Sequence, residues 1–169
     1  MGLVQVATNT VTSAVASVTL TGIDSDDIYM VALNNVTLNT SGSGFYVRVT
    51  TSGTADSDSE YDIAYKVLRA DASFGNTANA NGNLWDLTTQ YVATGVSNNG
   101  ILYLYNFNNS SEYSFITNET AFFWSGSNNL NGNQGGGVHT VAETNDGIHF
   151  VSDSGRTFES GTFTMYKVI

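Results

Sequence analysis

The sequence predicts an all-β chain: one antiparallel β-sandwich or jelly roll of about 8–10 strands spanning residues 1–169. Three observations carry this expectation. Charged residues make up only 12% of the chain, about half of the roughly 25% of an average domain. Their place is taken by 18 Ser, 21 Thr, 19 Asn and 17 Gly. Thr suits strands and the other three suit turns, whereas exposed helix positions favour Lys, Glu, Arg and Ala. Short apolar runs also recur along the chain, each closed by turn residues, which is the spacing of a sandwich. A chain of 169 residues can bury roughly 70% of its unfolded surface, enough for a single real core.

The elements follow in order. Residues 15–20 make a first strand, ended by Thr21 and Gly22. Residues 28–36 are apolar on both parities, the pattern of a central strand covered on both faces. Residues 45–49 alternate cleanly, as do 61–68, with Ile63, Tyr65 and Val67 on one face. Residues 84–91 fit either one helical turn or a strand. Residues 101–105 read as a second doubly covered strand, and 115–116, 121–124 and 147–151 supply further strands. Residues 39–44, 51–59, 73–83 and 128–137 hold almost nothing but Gly, Ser, Thr, Asn and Asp, and read as loops. Gly135-Gly136-Gly137, with no helix after it, reads as a flexible part of the last of these.

The chain closes on a strand pattern in which Thr162 and Thr164 alternate with Phe163 and Met165. Beyond them the apolar side chains, Tyr166 and Val168, fall on the opposite parity. A bulge or a second packing partner would produce such a switch. Tyr166, Val168 and Ile169 are therefore candidate contacts with a neighbouring subunit.

The formal net charge is −10, from 15 acidic and 5 basic residues. That balance opposes binding to nucleic acid and to anionic membranes. The absence of Cys excludes disulfides, a thiol nucleophile and a Cys-ligated zinc. No apolar run approaches the roughly 18 residues needed to span a bilayer, and the N-terminus lacks the features of a secretory signal. The Asn-x-Ser/Thr matches at Asn35, Asn39, Asn108, Asn109 and Asn118 are what an Asn- and Thr-rich chain gives by chance.

The best metal candidate is the 56–62 stretch, where Asp56, Asp58, Glu60 and Asp62 alternate as ligands do in calcium loops. It lacks the Gly and the terminal bidentate Glu of such loops, and its last acids lead into a strand. The expectation is a solvated acidic turn and no metal, with Asp56, Asp58 and Asp62 as the residues to watch. Asp24, Asp26 and Asp27 read as a turn before the strand at Ile28. His139 and His149 are spaced by ten, which matches no metal motif, and read as ordinary packed or surface histidines. No nucleophile elbow, phosphate loop or zinc-protease helix is present. The acids sit beside turns or on polar faces, against a paired-carboxylate glycosidase. The sequence thus predicts no enzyme, no catalytic residues and no cofactor. Clusters such as Phe122-Phe123-Trp124 would fill the core, or line a sugar site or an interface.

Several stretches carry a resemblance. Residues 3–18, then Gly22-Ile23-Asp24 and Tyr29-Met30-Val31, resemble the opening of small β-rich virion proteins of tailed bacteriophages, cyanophages among them. Gly147-Ile148-His149-Phe150, Ser160-Gly161-Thr162-Phe163-Thr164-Met165-Tyr166, and residues 101–107 before Asn108-Asn109 are similar to the later part of those proteins. The last of these stretches departs from the pattern where Pro is expected. The resemblance spans the chain but rests on structural motifs, and it implies no catalytic residues. It implies a jelly-roll-like domain in the virion, serving as a capsid decoration (cement) protein or in a tail fibre. A homotrimer seated on the major capsid protein lattice is the expected assembly. The family pattern begins at Leu3, leaving no coiled coil or shaft before it, which favours decoration over a fibre. The rival expectation is a short tail fibre or receptor-binding protein recognising host cell-surface glycans.

Overall fold

The computed structural model describes residues 2–42, 44–71, 73–88, 91–153 and 155–169. These residues hold thirteen strands and no helix: β1 (Leu3–Val11), β2 (Ser17–Thr21), β3 (Tyr29–Leu38), β4 (Phe45–Thr51), β5 (Thr54–Ala55), β6 (Tyr61–Arg69), β7 (Gly75–Gly82), β8 (Trp85–Asp86), β9 (Asn98–Tyr105), β10 (Tyr113–Trp124), β11 (Asn129–Ala142), β12 (Gly147–Ser152) and β13 (Phe158–Val168). They form two antiparallel sheets, as the composition predicts. The larger runs β1-β13-β3-β9-β10-β11-β6-β7, and the smaller runs β2-β12-β4-β5 with β8 also on β4.

The period of two decides which side chains enter the core between the sheets. From the smaller sheet come Val18, Leu20, Phe45, Val47, Val49, Ile148 and Phe150; from the larger come Tyr29, Val31, Leu33, Leu102, Leu104, Ile116, Phe163 and Met165. Aromatic pairs cross the gap. Phe150 lies 5.0 Å from Phe163, and Trp85 meets Tyr61 edge-on at 5.1 Å.

Four expectations change. The predicted loop 73–83 contains β7, and all of 128–137 beyond Asn128 is the first part of β11, the longest strand. Both lack the apolar alternation that marks a strand; their backbones are held by pairing with β6 and with β6 and β10. Gly135-Gly136-Gly137 is accordingly ladder rather than flexible loop. A Cβ on Gly137 would stand 2.5 Å from the Trp85 ring and 2.7 Å from the Asp62 carbonyl oxygen, so only glycine lets the indole pack here. The open choice at 84–91 resolves to the short strand β8, with residues 89 and 90 lying outside those described.

The other two changes concern coverage. The strands expected to be covered on both faces, β3 and β9, are covered on one. Leu102 and Leu104 are fully buried, yet Ile101 and Tyr103 are 42% and 39% exposed. At the chain's end, β13 keeps an unbroken register against β3 from Thr162 to Lys167, so no bulge in β13 makes the switch at Tyr166. Phe163 and Met165 face the core, while Thr162, Thr164, Tyr166 and Val168 share the outer side, whose chemistry turns from hydroxyl to apolar. Lys167 leaves the core at the rim, where its Nζ lies 2.6 Å from Asp27 and donates to Ser25 Oγ at 2.7 Å.

Candidate functional site

The outer face of the larger sheet is the most distinctive surface. Antiparallel pairing aligns side chains into rows across strands. One row runs Tyr166, Met30, Tyr103, Thr117 and the next Thr164, Ala32, Ile101, Glu119. Tyr105 stands opposite Phe115 in a third. Phe115 and Tyr113 are 43% and 46% exposed. Along β3, β9 and β10 the outward positions carry one charge, Glu119, in a chain of net charge −10.

Across this face runs an open groove of about 1030 Å³. Small residues, among them Ala32, Gly100, Ala121 and Gly132, line it between taller neighbours. Arg69, Phe74, Asn99, Glu119 and Tyr166 supply its charged, amide and aromatic groups. Among the described lining residues Glu119 is the one carboxylate, so the paired acids of glycoside hydrolysis do not meet here. The subunit-contact candidates divide: Tyr166 lines the groove, Val168 ends the strand on the same outer side, and Ile169, 67% exposed, follows it. The terminus is nevertheless well held. The Gly2 amide donates to the Ile169 carbonyl at 2.7 Å, and the Val168 amide to the Ile28 carbonyl at 2.9 Å.

A second constellation lies at one end of the sandwich. Asp56 does not gather with Asp58 and Asp62. The Asp58 amide donates to Asp56 Oδ1 at 2.8 Å, while Asp62 on β6 accepts from the Asn81 amide. Asp56 gathers instead with His139 and Glu143, one possible ligand atom of each lying within 4.8 Å of the others. His139, on β11, is fully buried. Its Nε2 lies 2.9 Å from Asp56 Oδ2 and 3.5 Å from Glu60 Oε2; its Nδ1 faces Glu143 Oε1 at 4.0 Å without a hydrogen bond. Burial pushes the Asp56 carboxyl up, but the Asp58 amide and His139 outweigh it and hold the group below its usual range. Burial and the neighbouring Asp56 push Glu60 up. An ionised Asp56 can only accept, so Nε2–H is the donor. His149 is more ordinary: its Nδ1 is 2.7 Å from Thr19 Oγ1, and burial with the nearby Arg48 pushes it down.

A third acidic spot has a measurable consequence. Burial, with help from Asp153, raises the Asp86 carboxyl to about 6 from 3.8, although the Thr88 amide donates to it at 3.0 Å. The folded state then holds the proton more tightly than the unfolded state. Stability falls as pH rises through that interval, and the full cost, up to about 3 kcal/mol, is present above it. Asp86→Asn keeps an acceptor for Thr88 and removes the charge. It is expected to stabilise the protein at pH 7 and to flatten this part of the profile. Urea titrations at a series of pH values check this, and parallel curves for the two proteins would sink it.

Comparison with family models, with curated proteins and with solved structures returns no match.

Proposed function

We propose that this is a structural protein of a tailed-phage virion that works by docking, as a capsid decoration (cement) protein. Its partners on this reading are copies of itself, in a homotrimer, and the major capsid protein lattice. The observation that carries it is the outer face of the larger sheet, whose central strands are apolar on both sides yet covered on one. Exposed apolar surface of that kind, rimmed by polar residues, is typical of interaction sites. The resemblance of residues 3–31 and 147–166 to small virion proteins supplies the setting.

Strand pairing supports a jelly-roll reading of the sandwich. Four antiparallel pairs nest one inside the other: β1 with β13, β2 with β12, β3 with β9 and β4 with β8. A long hairpin rolled into two sheets gives that nesting, and the β10-β11 and β6-β7 hairpins extend one sheet beyond it. Jelly rolls serve in capsids and in lectins alike.

One observation favours a second reading, a tail-fibre or receptor-binding role on cell-surface glycans. Asn99, Arg69 and Glu119 beside Phe74 and Tyr166 offer planar hydrogen-bonding groups next to aromatic faces, as polar ligands require. A cryo-EM map of the virion separates the two. Many copies on the capsid faces are expected; a few copies confined to the tail would overturn decoration in favour of the fibre.

A further inference from the structure

We infer that β7, one edge of the larger sheet, pairs antiparallel with β7 of a second copy about a two-fold axis at Ala78, joining two larger sheets into one. The reasoning starts from the backbone. β7 pairs with β6 alone, so alternate amides and carbonyls along it face away from the sheet. Among the described residues, the backbone of 75–80 has no partner beyond β6. Sheet edges commonly carry a device against such pairing: a charge, a proline, a kink or a very short strand. The other edges have one. β5 and β8 are two residues long, β2 is five, and β1 is kinked by a register shift between Gln5 and Ala7. β7 runs eight residues, Gly75–Gly82, without a charge. Its register against β6 is even from Gly75 to Asn79.

Charges on the neighbouring strand select the occupant. Asp62 and Lys66 share the outer side of β6 with Ala64, one to each side of it, and Ala64 pairs with Ala78. Lys66 Nζ leans over β7 and donates to Asn76 Oδ1 at 3.3 Å. A two-fold axis at Ala78 sets Asn76 of one copy opposite Ala80 of the other. Lys66 of each copy then shares a row with Asp62 of its partner, and the symmetry supplies this complement twice. A strand of unrelated sequence has no reason to carry it. Phe74, 61% exposed and directly before β7, is carried by the same axis toward the partner's Gly82, which has no side chain to obstruct it.

Directly opposed residues of an antiparallel ladder project to one face. The axis therefore stands perpendicular to the sheet, and both copies turn their outer faces to the same side. The edge contact does not rest on what those faces dock against. A short strand pair is a small contact, so free copies pair weakly, above the micromolar range. Pairing strengthens wherever a surface holds copies side by side at high effective concentration.

The chain has no cysteine, so single cysteine substitutions in the full chain read the register by disulfide trapping. Ala78→Cys, at an exposed position, puts two thiols directly opposite, with Cα atoms about 4.5–5.5 Å apart and within disulfide range. Asn76→Cys, also exposed, lies out of register with its own copy (76 against 80), displaced by roughly 13 Å along the strand. Under mild oxidation at roughly millimolar concentration, Ala78→Cys should form its dimer at least about tenfold faster than Asn76→Cys. Asn76→Cys mixed with Ala80→Cys should give the mixed dimer. Adding Lys66→Glu to Ala78→Cys should slow its dimer at least about threefold with unchanged circular dichroism, because Glu then meets the partner's acid. No disulfide at 78, equal rates at 78 and 76, no mixed dimer, or a Lys66→Glu protein that crosslinks as fast as Ala78→Cys alone would each overturn the pairing.

Discussion

Phe163→Ala is expected to destabilise the fold by about 3–5 kcal/mol, the cost of emptying a large, well-packed aromatic site. Phe163 is 1% exposed, on the one strand that pairs with both β1 and β3. Its ring lies 5.0 Å from Phe150 and 5.4 Å from Phe158, so it joins the sheets and also packs the start of β13 against its middle. The surrounding rings are held by their own strands and cannot collapse into the void, which places the loss at the upper part of the range. Total stability of a domain is about 5–15 kcal/mol, so this one substitution removes a large share of it. A melting temperature lower by roughly 10 °C or more is the expected reading. A loss near that of an exposed aromatic would mean that β13 does not seat between the sheets as described.

That strand was legible in the sequence, and so were 45–49 and 61–68, for one reason. Where one face is buried and the other wet, alternation of side chains translates directly into burial: Phe45, Val47 and Val49 are inside, as are Ile63, Tyr65 and Val67. The reading failed where the strand is specified by its neighbours. β7 and the first half of β11 offer Gly, Asn, Gln and Ala to the pattern, and their conformation is imposed by ladders to β6 and β10. Gly137 is there because Trp85 needs the space, a requirement set 52 residues away that no local window contains.

The acidic cluster illustrates the same limit. Asp56 was visible because it lies among alternating acids, and that local pattern pointed to Asp58 and Asp62 as its companions. The fold supplies different ones, His139 at a sequence separation of 83 and Glu143. The available signal was weak but real: His139 is followed by Glu143 at the end of a long polar segment, on a chain with only two histidines.

If the proposed homotrimer forms through the outer face of the larger sheet, replacing Ile101 and Tyr103 together by lysine is expected to dissolve it and leave the subunit folded. Both side chains point out of the larger sheet, 42% and 39% exposed, so neither lysine need bury its charge in the monomer. At 101 the new ammonium faces Glu119 across the β9–β10 ladder, a favourable pairing for the isolated sheet. If copies of this chain meet through that face, the same two charges are forced into a desolvated contact, where they cost far more. A buried tyrosine at the centre of an interface contributes about 2 kcal/mol or more, so the dissociation constant should rise at least about thirtyfold. Light scattering at micromolar concentration should give a trimer for the parent and a monomer for the double variant, with matching circular dichroism. Tyr166→Ser, one row neighbour beyond Met30, should fall between them. Deleting residues 166–169 is the poorer probe. It also removes the Gly2–Ile169 hydrogen bonds and the Lys167–Asp27 ion pair, and so confounds assembly with folding. A parent protein that is monomeric, or a double variant that stays assembled, would show that this apolar face meets something other than its own copies.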